Sequence, residues 1–389
     1  MPIKNLLLVF ISLSAVLLTA CQETDPRANT QSQRLSVAET LGGAETTGFA
    51  RATETRSFTF PRDHGPHPAF QTEWWYYTGN LQNAAGRRFG YQLTFFRSAL
   101  QADPVPRKSA WASNQIYLAH FALSDPQNER FHYFERFSRD GLELAGATAE
   151  PFKVWLEDWS ASGSANTTLP LQLRASTTDV AIELELDSSK PVVLQGQQGL
   201  SQKSADPGNA SYYYSLTRMP TRGEIRIAGD SYQVTGDSWL DREWSTSALG
   251  SDQVGWDWFS LQFDDGRELM YYQLRLRDGR PDPLSSGVMV AEDGRTTRLG
   301  PDDLRIEVRA YWTSPHSGAR YPARWRLQLP AQQLSLEIVP LLADQELQTS
   351  VRYWEGAVSL QGTHGQEKFR GYGYVELTGY DDQGAEAGK

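Results

Sequence analysis

From Phe58 onward the chain is written in short alternations of apolar and polar residues. Tyr91-Gln92-Leu93-Thr94-Phe95-Phe96, Ala181-Ile182-Glu183-Leu184-Glu185-Leu186 and Leu334-Ser335-Leu336-Glu337-Ile338-Val339 are clear examples. A period of two places every second side chain on one face of an extended chain, so each run predicts a half-buried β-strand. Ala85-Gly86, Asp140-Gly141, Asp265-Gly266, Asp278-Gly279 and Asp293-Gly294 fall between runs and predict turns. Helical candidates are few, and Pro301 to Arg305 has room for one turn. A chain so rich in strands must hide its sheet edges by closing into barrels or packing as a sandwich.

Two stretches echo one another. Trp74-Trp75-Tyr76-Tyr77 leads through Gly86-Arg87 to Tyr91-Gln92-Leu93, and Trp256-Asp257-Trp258-Phe259 leads through Gly266-Arg267 to Tyr272-Gln273-Leu274. Either two hairpins are alike by chance or the chain holds two related barrels. The tandem pair is the expectation, with its boundary between Arg222 and Gly236. It predicts one barrel over 58–230 and a second over 231–389.

Met1 to Ala20 has one cation, Lys4, ahead of an apolar run from Leu6 to Leu18. That run is shorter than the ~20 residues of a membrane-spanning helix and suits a signal-peptide core over residues 1–20. The segment ends Leu18-Thr19-Ala20-Cys21, which resembles a bacterial lipobox. The resemblance implies lipid modification of Cys21 and anchoring to the membrane. The other reading is an ordinary signal peptide with an incidental cysteine. In proteobacterial lipoproteins the lack of Asp after the cysteine, here Gln22, is compatible with the periplasmic face of the outer membrane. Residues 21–57 are polar and small, and read as a tether.

Charge and composition narrow the classes. Lys plus Arg number 37 against 47 Asp plus Glu, a net charge of −10 without a basic run, which argues against nucleic-acid binding. One cysteine excludes an intramolecular disulfide, a cysteine zinc site and an iron–sulfur cluster. Aromatics at 12%, with 12 Trp, point to large cores or an aromatic-lined cavity. There is no nucleophile elbow, no phosphate-binding Gly-Lys loop, no His-Glu-x-x-His and no dinucleotide fingerprint. No cofactor is expected.

Three segments have the composition for chemistry. In Phe60-Pro61-Arg62-Asp63-His64-Gly65-Pro66-His67-Pro68 the Pro and Gly residues predict an irregular loop. His64 and His67 could ligate a metal with Glu73, shuttle protons, or simply close a barrel mouth; Gly65 and Pro66 break any ligating helical face, so no metal is expected. Glu73, Trp75 and Tyr77 share a strand face next to Trp74. Glu73 is therefore either a satisfied structural acid or a desolvated one. In Gly236 to Ser245, Asp237, Trp239, Asp241 and Glu243 share one face, and Ser238, Leu240, Arg242 and Trp244 the other. On an outer face the acids would be solvated. On a lumen face they would repel, and one would keep its proton near neutral pH. Such an acid among rings suits protonation of an alkene or carbonyl. Arg242 is expected in an ion pair. Trp256, Trp258, Tyr272 and Gln273 form the third segment, with core packing and ligand contact as the two readings.

Phe60 to Asn80, the run from Leu194-Gln195-Gly196 to Ser211-Tyr212-Tyr213-Tyr214-Ser215, and Gly236 to Ser245 together resemble the lipocalin-like family of AttH-type proteins and carotenoid 1,2-hydratases. The resemblance covers about residues 55–385. It implies an all-β fold of two tandem lipocalin-like antiparallel β-barrels and an apolar pocket for a hydrophobic, lipid- or isoprenoid-like molecule. It also implies an acid that protonates a double bond before water adds. Asp241 is the candidate, with Glu243 and Glu73 as alternatives. The expected pocket residues are Trp74, Trp75, Tyr77, Trp239, Trp244, Trp256, Trp258, Tyr272, Gln273, His64 and His67. An export signal sits poorly with an intracellular carotenoid pathway. The first expectation is thus a ligand-binding protein of the bacterial cell envelope, accessory to an ABC-type permease, and the second a hydratase or isomerase.

The lipobox makes one direct prediction. Radiolabelled palmitate should enter the wild-type chain in a bacterial host and be absent from Cys21→Ala, which should leave the membrane fraction. Label retained by the variant would show that Cys21 is not the anchor.

Overall fold

The computed structural model describes residues 46–104, 109, 113–164, 167–246 and 249–380. The signal segment, Cys21 and most of the tether lie outside the described residues. The described end of the tether is packed: Phe49 and Ala52 are buried, and the Ala50 amide donates to Ala69 O.

Two curled antiparallel sheets carry the chain, and the fold is two barrels in tandem. The first sheet is 13-stranded. Its path runs Arg130–Arg139, Gln115–Asp125, Arg88–Ala99, Thr72–Asn83, Asp230–Ser245, Ala210–Ile227, Val180–Leu186, Leu171–Ser176, Trp159–Ser162, Phe152–Leu156, Ala145–Ala149. The sheet curls back on itself. Arg136 on the edge strand Arg130–Arg139 pairs with Asp158, in the turn between Phe152–Leu156 and Trp159–Ser162, and covers the Trp159 ring at 4.3 Å. The second sheet is 10-stranded and runs Thr296–Leu299, Ser286–Val290, Glu268–Leu276, Gln253–Phe263, Glu367–Leu377, Arg352–His364, Leu334–Pro340, Arg320–Leu329, Arg305–Thr313.

The sheets change hands between Ser245 and Gln253, not at 230–231. Asp230–Ser245 pairs with both Ala210–Ile227 and Thr72–Asn83, so it closes the first barrel. The predicted boundary fell at the hairpin turn between those strands. A turn signal marks a chain reversal, whether or not a domain ends there.

The expected turns form at Gly86, Gly266, Gly279 and Gly294, all with φ between +81° and +85°. Only glycine enters that region without steric cost. After Asp265, Asp278 and Asp293 the aspartate oxygen accepts the amide of the Arg two residues on, which fixes each turn. Asp140-Gly141 instead opens a short 3₁₀ turn, Gly141–Glu143.

Strands covered on one side keep their alternation. Leu334–Pro340 buries Leu334, Leu336 and Ile338 in the second core while Val339 is exposed. Thr72–Asn83 loses it, because both of its faces are covered. Trp75 and Tyr77 enter the first barrel's core with Phe95, Leu93 and Leu240. Tyr76 and Trp239, on the opposite face, pack against Trp258, Met270, Tyr272 and Tyr374 of the second sheet. This seam between the barrels is a third core.

One mouth of the first barrel is plugged by the loop at Pro61–Phe70. Glu73 is fully buried inside it, paired with Arg97 and Arg242 and accepting the His67 amide at 3.0 Å. Burial alone would raise its pKa, but the guanidiniums of Arg97 and then Arg242 hold it well below the carboxylate range. Breaking such a buried network by neutralising one partner costs about 3–5 kcal/mol. Glu73→Gln should lose about that much in urea denaturation at pH 7. The deficit should shrink as pH falls below roughly 4.3, where the unfolded wild-type carboxylate begins to take up its proton. An unchanged midpoint would show that the plug does not depend on this charge.

Candidate active site

The seam opens into a narrow cleft with a cavity of about 60 Å³. Trp74, Tyr76, Tyr213, Asp241 and Glu243 form the wall from the first sheet, with Lys203 from just beyond the short strand Leu200–Gln202. Trp256, Trp258, Tyr272, Leu274 and Glu376 form the facing wall. Trp74 and Trp256 lie nearly parallel across it, 6.2 Å between centroids. The mix of rings with a few convergent polar groups is that of a small-molecule site.

Strand register explains the wall. Tyr76 pairs with Asp241 and Trp74 with Glu243, so both acids point where Tyr76 and Trp74 point. That is the face away from the lumen. The sequence expectation of a lumen-facing acid is corrected here: the face carrying Asp237, Trp239, Asp241 and Glu243 lies in the seam and at its edge. Leu240 and Arg242 take the lumen face.

The repulsion expected among these acids is relieved in three ways. Asp237, half-exposed, meets Arg218 at 3.2 Å. Glu243 meets Lys203 Nζ at 2.9 Å and accepts from Ser211. Among the described residues no cation forms an ion pair with Asp241; Lys203 is paired to Glu243. Asp241 accepts from Tyr213 at 2.7 Å, from Trp239 Nε1 at 2.8 Å and from Ser215. Burial dominates over these bonds and pushes its pKa up to about 7. Glu376, whose Oε1 accepts from Trp256 Nε1 at 3.1 Å, is pushed by burial to about 8. Glu355 lies next to it, opposite on the neighbouring strand, and is raised well above the ordinary value by burial and by Glu376. The cleft therefore presents protonated carboxyls among aromatic faces near neutral pH.

The structure brings together Asp241, Glu243, Trp74, Trp239, Trp256, Trp258 and Tyr272. It sets the other expected residues apart. Glu73 is in the mouth plug. Trp75 and Tyr77 are in the first core. Trp244 is stacked on the His67 ring at 3.7 Å between centroids. His67 also bridges Asp63 and Glu73 at 3.2 and 3.3 Å, and His64 meets the Tyr214 hydroxyl at 2.6 Å. Burial lowers the His64 pKa to about 4, so it is neutral. Gln273 pairs with Asp257, one position off the cleft face. Arg242 is in the expected ion pair and covers Trp75 at 3.9 Å. Among the described residues no group of His, Cys, Asp and Glu is arranged to hold a metal.

Sequence reasoning missed Lys203, Tyr76, Tyr213, Glu355 and Glu376. Period two would have put Tyr374 and Glu376 on one face. A glutamate near the end of an apolar strand reads as an outward residue unless a second sheet is known to cover it.

Two barrels enclosing a carboxyl-bearing aromatic cleft at their seam define the two-barrel, lipocalin-like class of fold. The sequence profile of the AttH-like family matches residues 51–380, and the chain belongs to that family. The solved AttH protein of Nitrosomonas europaea is 35% identical, with a TM-score of 0.75 over 85% of this chain and 100% of its own. Kievitone hydratase of Fusarium solani subsp. phaseoli is 22% identical over 252 residues, 63% of this chain and 69% of its own. The structure of kievitone hydratase from Nectria haematococca shares the fold, with a TM-score of 0.65 over 85% and 98% at 14% identity. A hydratase thus stands among the relatives at family level.

The raised pKa of Asp241 has a measurable consequence. The folded state holds this proton up to about pH 7, whereas the unfolded chain releases it near pH 4. Its contribution to stability is complete below the unfolded value and is lost as pH rises to about 7. Asp241→Asn lacks this loss. Its stability relative to wild type should rise by roughly 3 kcal/mol between about pH 4 and 7. Thermal melts across that range check this; a constant difference would mean Asp241 titrates normally.

Proposed function

We propose that this protein is a hydratase-type enzyme acting on a hydrophobic, isoprenoid-like alkene, with Asp241 as the general acid. The observation that carries the reading is a buried carboxyl with no ion-pair partner among the described residues, held by three donors in an aromatic cleft. A pKa near the working pH keeps the proton in place while leaving it transferable. The cation formed when the alkene takes that proton would face the rings of Trp74, Trp256 and Trp258, whose π faces favour positive charge. The low dielectric of the seam strengthens that attraction. Water then adds, and the proton it loses restores the acid. The hydratase among the relatives supports the same class of reaction.

A second reading, binding without conversion, rests on the same apolar cleft. It corresponds to a carrier of a lipid- or isoprenoid-like molecule, anchored through Cys21 at the periplasmic face of the outer membrane. Nothing among the described residues points to a permease.

Kievitone is the first probe. Wild type should add one water to it, read by mass spectrometry, and Asp241→Asn should be slower by roughly 10²–10⁴-fold. Turnover should fall as pH rises through about 7, as the acid loses its proton. Full turnover by Asp241→Asn would remove the acid role. A lipid retained unchanged in native mass spectra, with no conversion of kievitone, would favour the carrier.

A further inference from the structure

Hydration needs a second group besides the acid, because the water must lose a proton as it joins the cation. That group has to be ionised while Asp241 is protonated. Glu376, opposite, is itself pushed up by burial and holds its proton. Glu243 meets the condition. It stands two residues from Asp241 on one face of Asp230–Ser245, about 7 Å along the strand, and both line the cleft. Lys203 Nζ lies 2.9 Å from its Oε1, and the Ser211 hydroxyl donates to the same oxygen. Its Oε2 has no hydrogen-bond partner among the described residues. An ammonium so close keeps a carboxylate charged. The other groups around Glu243 are Asp241 and Tyr213 on its own wall and Tyr272 and Glu376 on the facing one. Burial raises the Asp241 pKa, and the negative charge of Glu243 raises it further. Neighbouring carboxyls driven to opposite protonation states make an acid–base couple. The cavity of about 60 Å³ has room for water, one molecule of which needs roughly 10–15 Å³.

We propose that Glu243 is the catalytic base that takes the proton of the added water, with Lys203 as the positioning residue that keeps it ionised. This rests on the hydratase reading. The alkene π bond breaks as one carbon takes the Asp241 proton. The water oxygen forms the C–O bond at the other carbon, and one of its O–H bonds breaks as that proton passes to Glu243. A water bonded to a cation is a strong acid, so a carboxylate held by an ammonium still accepts from it. Asp241 is then ionised and Glu243 protonated, the reverse of the resting state. A water between the two carboxyls returns the proton to Asp241, and Glu243 regains its charge beside Lys203. The sum is alkene plus water giving alcohol.

Two measurements test this on the full chain. Glu243→Gln keeps an oxygen for Lys203 and Ser211, and should hydrate kievitone about 100-fold more slowly than wild type. Glu243→Ala should be as slow in water, and added azide should restore conversion, giving the azide adduct in mass spectra, because an anion needs no base to join the cation. Asp241→Asn should make neither product, since no cation forms. Hydration at the wild-type rate by Glu243→Gln overturns the base role, and so does a slow Glu243→Ala that azide does not restore. Azide adduct formed by Asp241→Asn overturns the acid reading alone. No hydration by wild type overturns the hydratase reading and the base role together. The second measurement needs no substrate. In ¹³C NMR of carboxyl-labelled protein at about pH 6, Asp241 should be the acid and Glu243 the carboxylate, and Lys203→Met should protonate Glu243. A protonated Glu243 in wild type overturns the base role. A Glu243 carboxylate unmoved by Lys203→Met overturns the role of the lysine.

Discussion

Burial of both faces of a few central strands is the constraint on which this structure depends. A strand at the wall of a single barrel needs one apolar face. Thr72–Asn83, the second half of Asp230–Ser245 and Gln253–Phe263 have none left for water, because each lines its own barrel and the seam. The aromatic excess follows. Trp75 and Tyr77 fill a lumen, while Trp74 and Tyr76, one residue away on each side, fill the seam. Any carboxylate on such a strand must find a cation, keep its proton or lie at the rim.

Adjacent residues of one strand take these different routes. Arg242 points inward and neutralises Glu73, which stays ionised in the dry mouth plug. Asp241 and Glu243 point outward. Glu243 has Lys203, whereas Asp241 has only hydrogen-bond donors, too weak to offset desolvation. The chemical difference between a structural acid and a candidate proton donor comes down to which face of one strand each occupies and what the facing sheet supplies there.

Much of this was legible in the sequence, and the exceptions share one cause. Alternation and glycine turns pointed to an all-β chain, and the echo of two aromatic hairpins pointed to two sheets. Period two placed Asp241, Glu243 and Trp239 together. It could not say that a second sheet covers the face opposite the lumen, so the acids were assigned to the wrong side of the wall and Glu355 and Glu376 passed unnoticed. The echo itself is out of phase: Tyr91 lies in the first core, but Tyr272 faces the seam and its neighbour Tyr271 enters the second core. A shift of one residue exchanges the faces of a strand. That is why Gln92 reaches the seam, donating to Tyr353 at 3.0 Å, while Gln273 does not.

The seam is also tied by polar contacts that pin its walls. Glu268 of the second sheet is gripped by Lys190 and Arg218 of the first at 2.7 and 2.6 Å. His120 bridges Glu135 on its own sheet and the Tyr353 hydroxyl of the other, at 3.1 and 2.7 Å. Asn80 donates to Gly373 O at 3.0 Å, and Tyr76 donates to Glu355. These contacts hold the two sheets in one relation, so the donors around Asp241 and the carboxyls opposite stand in place before a ligand arrives. Catalysis by fixed dipoles and acids gains most when nothing has to reorganise as charge develops. A cleft in one flexible barrel would lack that rigidity, whereas a cleft made by locking two barrels together has it built in.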